Sequence, residues 1–255
     1  MSGSVVTIDF HNTLIECDPW FELEIRTLVS SVLDWAVAND GADVRQIDRK
    51  LVDSEYRKLR LAIHAHGHEL TAERAAAAVL DRVGLSLDHD VIATAIHELM
   101  HSTLQFARPV PGAGQFLREI HSAGARLAVV SSAVYHPFLE WALEAFSMRD
   151  RLEIVVTSAS CGFYKSRPEI YWAALVALGG PANGATHVGD SLRFDVGGAA
   201  VAGLKTTWYK RACTSEDRVS EFAPDLVVTN LEFASGRVLD LLAKGNPANI
   251  AVDPK

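Results

Sequence analysis

Short apolar segments alternate with helical segments along much of this chain, and this alternation restricts the fold more than any other feature. The first apolar segment, Val5 to Asp9, is rich in β-branched residues and ends in a polar turn, as buried strands do. Strands separated by helices are joined by crossovers, which places them in a parallel sheet covered on both faces. We therefore predict an α/β fold. Further strands are expected at 127–130, 154–156, 186–188, 206–209 and 226–228, with helices at 138–146, 168–178 and 235–244 and a helix ending at Ala202.

A long stretch, residues 20–107, interrupts the alternation with helical periodicity almost throughout. It is large enough to form a domain. We predict a core from residues 1–16 and 109–245, a helical insert at 17–108, hinges at 17–19 and 108–112, and a flexible tail at 246–255. The expected buried faces are Leu28, Val32, Trp35 and Ala36, then Leu51, Tyr56, Leu59 and Ile63, then Ile92, Ala95, Ile96 and Leu99 on a helix capped by Asp88 or Asp90.

Composition argues against several classes of protein. With a net charge of −8 over 255 residues, the chain lacks the basic surface that nucleic acids and anionic membranes attract. No apolar run approaches the roughly 18 residues of a membrane span. Three widely spaced cysteines, at positions 17, 161 and 213, fit a reducing compartment, and the first residues do not resemble a secretory signal. We expect a cytoplasmic protein, and the sequence leaves its oligomeric state open.

Chemically useful side chains follow four of the predicted strands. They are Asp9, Ser131 with Ser132, Lys165, and Asp190 with Asp195. Ligands of open parallel sheets bind beyond the carboxyl ends of the strands, so these residues are expected to converge on one edge. Carboxylates, hydroxyls and a lysine can hold a divalent cation and an oxyanion together. The combination suits phosphoryl transfer through a covalent intermediate.

Each of these groups has a task in such a reaction. Asp9 would be the nucleophile. A Mg²⁺ ion held by Asp9, Asp190 and backbone oxygen would offset the repulsion between carboxylate and phosphate. Lys165 would neutralise charge on the transferring group, and Ser131 with nearby backbone N–H groups would bind a phosphate oxygen.

The four segments together resemble the four motifs of the haloacid dehalogenase-like (HAD) hydrolase superfamily. Their order and their positions after strands make the resemblance specific, and it covers nearly the whole chain except the tail. It implies a Rossmann-like parallel sheet core, a helical cap of the C1 type that closes over a small phosphorylated substrate, and dependence on Mg²⁺. The matching residues are Asp9-Phe10-His11-Asn12-Thr13, Ser131, Lys165 with Pro168 and Tyr171, and Gly189-Asp190 through Asp195.

One position departs from the family pattern. His11 stands where the family's phosphatases carry a second Asp, which acts as general acid and later as base. An imidazole can do both, with an ordinary pKa near 6.5; alternatively, only the His11 backbone carbonyl contacts the metal. The expected site comprises catalytic Asp9, His11 and Lys165, phosphate-binding Ser131, Ser132 and Lys165, and metal-binding Asp9, His11, Asp190 and Asp195.

A Mg²⁺-dependent phosphatase acting on a small phosphomonoester fits these residues best. The alternatives are a 2-haloacid dehalogenase, which Asp190 disfavours, and a catalytically silent phosphate-binding relative in which His11 marks decay. A phosphonatase would need a Schiff-base lysine from the insert, and nothing marks Lys50 or Lys58 for that role.

Three further patterns have simpler explanations. His97-Glu98-Leu99-Met100-His101 matches the zinc-protease signature H-E-x-x-H, but we interpret it as a polar helix face. The three histidines at 64, 66 and 68 are expected at a solvated loop or helix end. Trp20 and Phe21 are expected to pack between helices.

Overall fold

The computed structural model describes residues 4–42, 44, 46–211 and 223–244. Cys213 and the tail at 246–255 lie outside the described residues. In the described part of the chain, no helix is long and apolar enough to cross a membrane. The described strands are β1 (Val5–Ile8), β2 (Ile15–Glu16), β3 (Arg108–Pro109), β4 (Arg126–Ser131), β5 (Ile154–Thr157), β6 (Ala185–Gly189), β7 (Lys205–Tyr209) and β8 (Leu226–Val228).

Six of these strands form one parallel sheet in the order β5-β4-β1-β6-β7-β8. Ile8 at the end of β1 is paired with Val129 on one side and Val188 on the other. The carboxyl ends of β1, β4 and β6 therefore meet at one edge. Every residue of β1 and β6 is buried, as in strands covered on both faces. The α/β fold is confirmed, and each predicted strand overlaps an observed one.

Helices cover both faces of the sheet because successive strand residues point to opposite sides. Val6 and Ile8 pack in one cluster with the helices Ala113–Ser122, His136–Ala145 and Ser235–Ala243, whereas Val5 packs on the other face with the helices Glu169–Leu178 and Ala199–Val201. A π-helical segment, Leu192–Gly198, occupies much of the stretch where we predicted a helix to Ala202. The core helices are α6 (Ala113–Ser122), α7 (His136–Ala145), α8 (Ser158–Cys161), α9 (Glu169–Leu178), α10 (Ala199–Val201) and α11 (Ser235–Ala243).

The described part of the helical insert packs as a bundle between β2 and β3. Asp88 caps its last long helix by accepting a hydrogen bond from the backbone N–H of Asp90 at 2.8 Å. The prediction that Leu51 is buried was wrong: it is 50% exposed, and Val52 occupies the core instead. The insert's helices are α1 (Asp18–Glu22), α2 (Leu28–Asn39), α3 (Arg49–His66), α4 (Ala72–Arg82) and α5 (His89–Thr103), with a π-helical segment at Leu23–Thr27.

The two chain crossings between core and insert lie side by side. Strands β2 and β3 pair antiparallel, with Ile15 opposite Pro109. Strands of two residues are too short to be found from periodicity, so this pairing was not predicted. The insert also contacts the core away from these crossings, where the backbone N–H of Ala72 donates to the Val134 carbonyl at 3.0 Å.

The last helix, α11, has no side-chain cap at its N-terminus. Ser235 begins α11 as its first helical residue, and the capping position belongs to Ala234. The Ser235 hydroxyl instead donates to the carboxylate of Glu119 on α6.

Candidate active site

Three carboxyl groups come together where β1 and β6 end. Oxygen atoms of Asp9, Asp190 and Asp195 lie within 4.8 Å of one another, and the Nζ atom of Lys165 contacts two of these residues. Asp9 directly follows β1, and Asp190 directly follows β6. The sheet thus brings together residues that are distant in the sequence, at the edge where sequence reasoning placed them.

The turn after β1 fixes the position of Asp9. Its backbone N–H donates to the Val188 carbonyl at 2.8 Å, and the Thr13 hydroxyl donates to its Oδ2 at 2.9 Å. Asn12 supports the turn at a φ of 65°, which Asn tolerates better than most residues. The Asp9 Oδ1 atom accepts a hydrogen bond from Lys165. Burial raises the pKa of Asp9 to about 6, although Lys165 opposes that shift.

Lys165 bridges two acids while itself only 3% exposed. Besides Asp9, it donates to Oδ1 of Asp195 at 2.6 Å. Burial alone would lower the lysine's pKa, but Asp195 and Asp9 raise it above its usual range. Burial would likewise raise the pKa of Asp195, but Lys165 and His187 hold it below the usual range. Both groups are therefore charged at neutral pH.

Asp195 is held by more partners than the sequence indicated. His187 Nε2 lies 3.0 Å from Oδ1, and the backbone N–H of Ser191 donates to Oδ2 at 2.9 Å. A Cβ atom on Gly189 would lie 2.2 Å from Asp195 Cγ, so only glycine allows this approach. His187 gave no functional signal because it lies within a β-strand pattern.

Asp190 lies among like charges. Burial, together with repulsion from Asp9 and Asp195, raises its pKa to about 8. Its nearest cation is Arg211, whose Nη1 is 3.8 Å from Oδ2. Three carboxyl groups around one lysine carry excess negative charge, and hard oxygen donors are the ligands that Mg²⁺ prefers. The residues present therefore fit a magnesium ion.

The two predicted phosphate-binding serines occupy different positions. Ser131 ends β4 and is buried, with an exposure of 3%, on the wall of the cavity that contains Asp9. The Ser132 hydroxyl accepts a hydrogen bond from the backbone N–H of Lys165 at 3.1 Å. Ser132 thus positions the lysine, a contact that the sequence did not reveal. We call residues 131–135 the serine loop.

His11 is enclosed by aromatic rings. It stacks on Phe21 with 4.5 Å between ring centroids, and Trp20 approaches it edge-on at 5.4 Å. Its Nε2 is buried and has no hydrogen-bond partner in the described part of the chain. Burial lowers the pKa of His11 to about 4, with Asp18 opposing and Arg211 adding to the shift. The imidazole is therefore neutral at neutral pH.

A cavity of about 590 Å³ extends from the carboxylate cluster to the insert. Trp20 is buried as predicted, but Phe21 is 39% exposed and borders this cavity. His64 is half-buried and also borders it, whereas His66 and His68 are exposed. The insert lines one wall with Trp20, Phe21, Glu24, Ile25, Arg26, Arg57, Arg60, Leu61 and His64, and the core lines the other with Asp9, His11, Asn12, Ser131, Ser132, Tyr164, Lys165, Asp190, Ser191, Phe194, Asp195 and Arg211.

A buried ionic network joins the insert to the core. Arg60 donates to both carboxylate oxygens of Glu69, at 2.6 and 3.1 Å, and the Ser158 hydroxyl donates to Glu69 at 2.9 Å. Glu24 accepts a hydrogen bond from the backbone N–H of Val134 in the serine loop at 2.9 Å. Burial raises the pKa of Glu24 to about 8, against the opposing effect of Arg60. The sequence gave no signal for this network.

The zinc-protease pattern has no metal-binding geometry. His97 and His101 are exposed, and both pack against Trp141. Glu98 accepts a hydrogen bond from the indole of Trp35 at 2.8 Å. Over the residues that the structure describes, the only cluster suited to a metal ion is the one at Asp9.

Comparison with known proteins gives one family. A family model described as haloacid dehalogenase-like hydrolase matches residues 4–203. A glyceraldehyde 3-phosphate phosphatase of Pyrococcus abyssi is 25% identical over 207 residues, or 81% of each chain. A 2-haloacid dehalogenase from Pseudomonas syringae superposes with a TM-score of 0.70 at 20% identity, over 94% of this chain and 98% of the other. An HAD phosphatase from Thermococcus onnurineus superposes with a TM-score of 0.62 at 19% identity, over 92% and 97%.

Proposed function

The chain belongs to the haloacid dehalogenase-like hydrolase family, and within it we propose that the protein is a Mg²⁺-dependent phosphatase of small phosphomonoesters. The observation that carries this proposal is the group of three carboxyl groups within 4.8 Å of one another, with Lys165 between Asp9 and Asp195. Such a site offers a nucleophile, a cation site and a fixed positive charge together.

Asp9 is the proposed nucleophile. A carboxylate oxygen of Asp9 forms a bond to phosphorus while the bond from phosphorus to the leaving oxygen breaks, which gives an aspartyl-phosphate. With a pKa of about 6, Asp9 is ionised at neutral pH. The Thr13 hydroxyl, at 2.9 Å from Oδ2, holds the carboxylate in one orientation.

Asp9 and Asp190 would hold the magnesium ion, with a backbone oxygen of the turn after β1. When bound, the ion offsets the repulsion between the attacking carboxylate and the phosphate. Both oxygens of Asp195 already accept hydrogen bonds from Lys165, His187 and Ser191. We therefore assign Asp195 mainly to holding Lys165 where it neutralises the transferring phosphoryl group.

His11 is the proposed proton-transfer group. The neutral imidazole can take a proton from water as the water oxygen bonds to phosphorus and the bond from phosphorus to Asp9 breaks. The proton it gains is then available to the alcohol that leaves in the next cycle. The unpartnered Nε2 of His11 supports a role for the ring rather than for the backbone carbonyl alone.

The helical insert acts as a cap in this proposal. It forms one wall of the cavity and contacts the serine loop, so closure would exclude water from the aspartyl-phosphate. The size of the cavity, about 590 Å³, suits a small phosphorylated metabolite.

A 2-haloacid dehalogenase is the second candidate, because the 2-haloacid dehalogenase from Pseudomonas syringae is among the solved structures similar to this chain. At 20% identity that likeness concerns the fold alone. Displacement of halide from carbon by a carboxylate gives no task to a second acid such as Asp190, so the cluster favours the phosphatase.

One screen separates the candidates. The purified protein is incubated with a panel of phosphomonoesters and of 2-haloacids, with Mg²⁺ or with EDTA, and phosphate and halide release are measured. Mg²⁺-dependent phosphate release supports the phosphatase. Halide release that survives EDTA supports the dehalogenase, and release of neither phosphate nor halide from any substrate supports a silent relative.

A further inference from the structure

The wall of the cavity opposite Asp9 has a chemistry that phosphoryl transfer alone does not require. One face of α3 contributes Arg57, Arg60, Leu61 and His64. Arg60, Leu61 and His64 follow Arg57 by three, four and seven residues, which places all four on the same side of the helix. This face belongs to the insert, whereas the proposed ligands of the scissile phosphate belong to the core.

The charge of this wall contrasts with the charge of the chain. The protein has a net charge of −8, yet beyond the carboxylate cluster and Lys165 the cavity is bordered by one acid and four arginines, three of which belong to the insert. That acid, Glu24, is neutralised in part by burial, which raises its pKa to about 8. A positive wall in an acidic protein focuses the field toward anionic ligands.

Most of the arginines already have carboxylate partners. Arg60 is paired with Glu69, and Arg26 with Glu22. Arg211 contacts Glu16 at 2.6 Å.

Arg57 differs from them. Within the described ranges it has no ion pair, and its Nε donates a long hydrogen bond, at 3.4 Å, to the Asp53 carbonyl of its own helix. Arg57 is an exposed residue that borders the cavity, and its guanidinium is a planar set of donors that can bind a carboxylate or phosphate through two hydrogen bonds at once.

We propose that the preferred substrates carry a second anionic group on the leaving-group side, and that Arg57 binds it from the cap wall while the scissile phosphate lies at Asp9. This inference rests on the proposed phosphatase function. Arg57 is then a specificity-determining residue, because it contacts a group that takes no part in bond breaking.

The experiment compares three series of alkyl phosphates of increasing chain length. Their far ends carry a hydroxyl, a carboxylate or a second phosphate, and kcat/KM is measured for each with Mg²⁺. We expect a carboxylate or phosphate member of one length to exceed its hydroxyl counterpart by about tenfold or more. Long-range attraction alone would instead show no optimum in chain length, so an optimum identifies a contact.

Variants locate that contact. In Arg57→Gln, the ratio of kcat/KM between the anionic and hydroxyl members should fall toward one. Lys58→Gln is the matched control, because Lys58 is the next residue, is paired with Glu55 and does not border the cavity. In this variant the ratio of kcat/KM between the anionic and hydroxyl members should match that of the wild type.

Three results would overturn the inference, and they distinguish its failure from the failure of the phosphatase proposal. Equal kcat/KM across the series at every length, or a ratio that Arg57→Gln leaves intact, overturns the assignment of Arg57 while the phosphatase proposal survives. Absence of phosphate release from all members and from p-nitrophenyl phosphate overturns both.

Discussion

The Oε1 atom of Glu24 lies 2.9 Å from the backbone nitrogen of Val134, so a carboxyl group of the insert accepts a hydrogen bond from the serine loop of the core. Val134 lies just before α7, and Glu24 thus satisfies a backbone donor that precedes this helix. The position of the insert is thereby coupled to the geometry of the serine loop.

The titration of Glu24 gives a pH-dependent stability. Its pKa is about 8 in the folded protein against an ordinary 4.5. Between these values the folded protein retains a proton that the unfolded chain has lost, so the free energy of unfolding falls as pH rises. Glu24→Gln cannot titrate. Relative to this variant, the free energy of unfolding of the wild type should fall by on the order of 1–4 kcal/mol between about pH 5 and pH 9.

Urea unfolding of both proteins across this range checks the prediction. The charged and titratable groups facing Glu24 are Arg60, Glu69, Tyr56 and Tyr164, and all four are retained in Glu24→Gln. Glu22→Gln is the control, because Glu22 is exposed in the same segment and paired with Arg26. Parallel pH profiles for wild type and Glu24→Gln would show that Glu24 is not the titrating group.

Removal of Glu69 should destabilise the protein strongly. Glu69→Ala leaves the Arg60 guanidinium buried without its partner, which costs about 3–5 kcal/mol in the free energy of unfolding. Glu55→Ala removes the half-buried partner of the exposed Lys58 and should change stability by less than about 1 kcal/mol. Denaturant unfolding measures both, and similar small losses in the two variants would mean that the buried pair contributes little.

Phosphate release should depend on Mg²⁺, and Asp190 should be needed to bind the ion. EDTA should abolish phosphate release and Mg²⁺ should restore it, while Asp190→Ala should need far more Mg²⁺ or show no activity. His97→Ala is the control for the zinc-protease pattern and should behave as the wild type. Restoration by zinc alone, together with loss of activity in His97→Ala, would assign the metal to the other site.

The loss of kcat/KM on removing the His11 side chain should depend on the leaving group of the substrate. An alkoxide needs a proton to depart, whereas p-nitrophenolate does not. His11→Ala should therefore reduce kcat/KM for an alkyl phosphate by roughly 10²-fold more than for p-nitrophenyl phosphate. An equal reduction for both substrates would leave only the backbone carbonyl of His11 in the site.

Local patterns made much of this architecture predictable. Runs such as Val5 to Ile8 identify buried strands, and parallel strands align their carboxyl ends. Asp9, Lys165 and Asp190 therefore had to approach one edge once the strands were found. The remaining residues of the site were predicted from the order of the four motifs along the chain.

Contacts made only by tertiary packing were not predictable. His187 supports Asp195 from the middle of a strand, and Ser132 binds the backbone of Lys165 across the sheet edge. Arg60 lies beside the apolar stripe of α3, but its burial to 3% exposure and its pairing with Glu69 depend on how the insert packs. Such pairs depend on which elements meet, and spacing along one element does not reveal that.

The central claim is that Asp9 becomes phosphorylated. The direct measurement is mass spectrometry of peptides from enzyme that is acid-quenched during turnover of a phosphomonoester with Mg²⁺. A phosphoryl group should appear on the peptide that contains Asp9, and Asp9→Asn should lack it and lose at least about 10³-fold in kcat. A phosphoryl group on another residue, or turnover that persists in Asp9→Asn, would contradict the account.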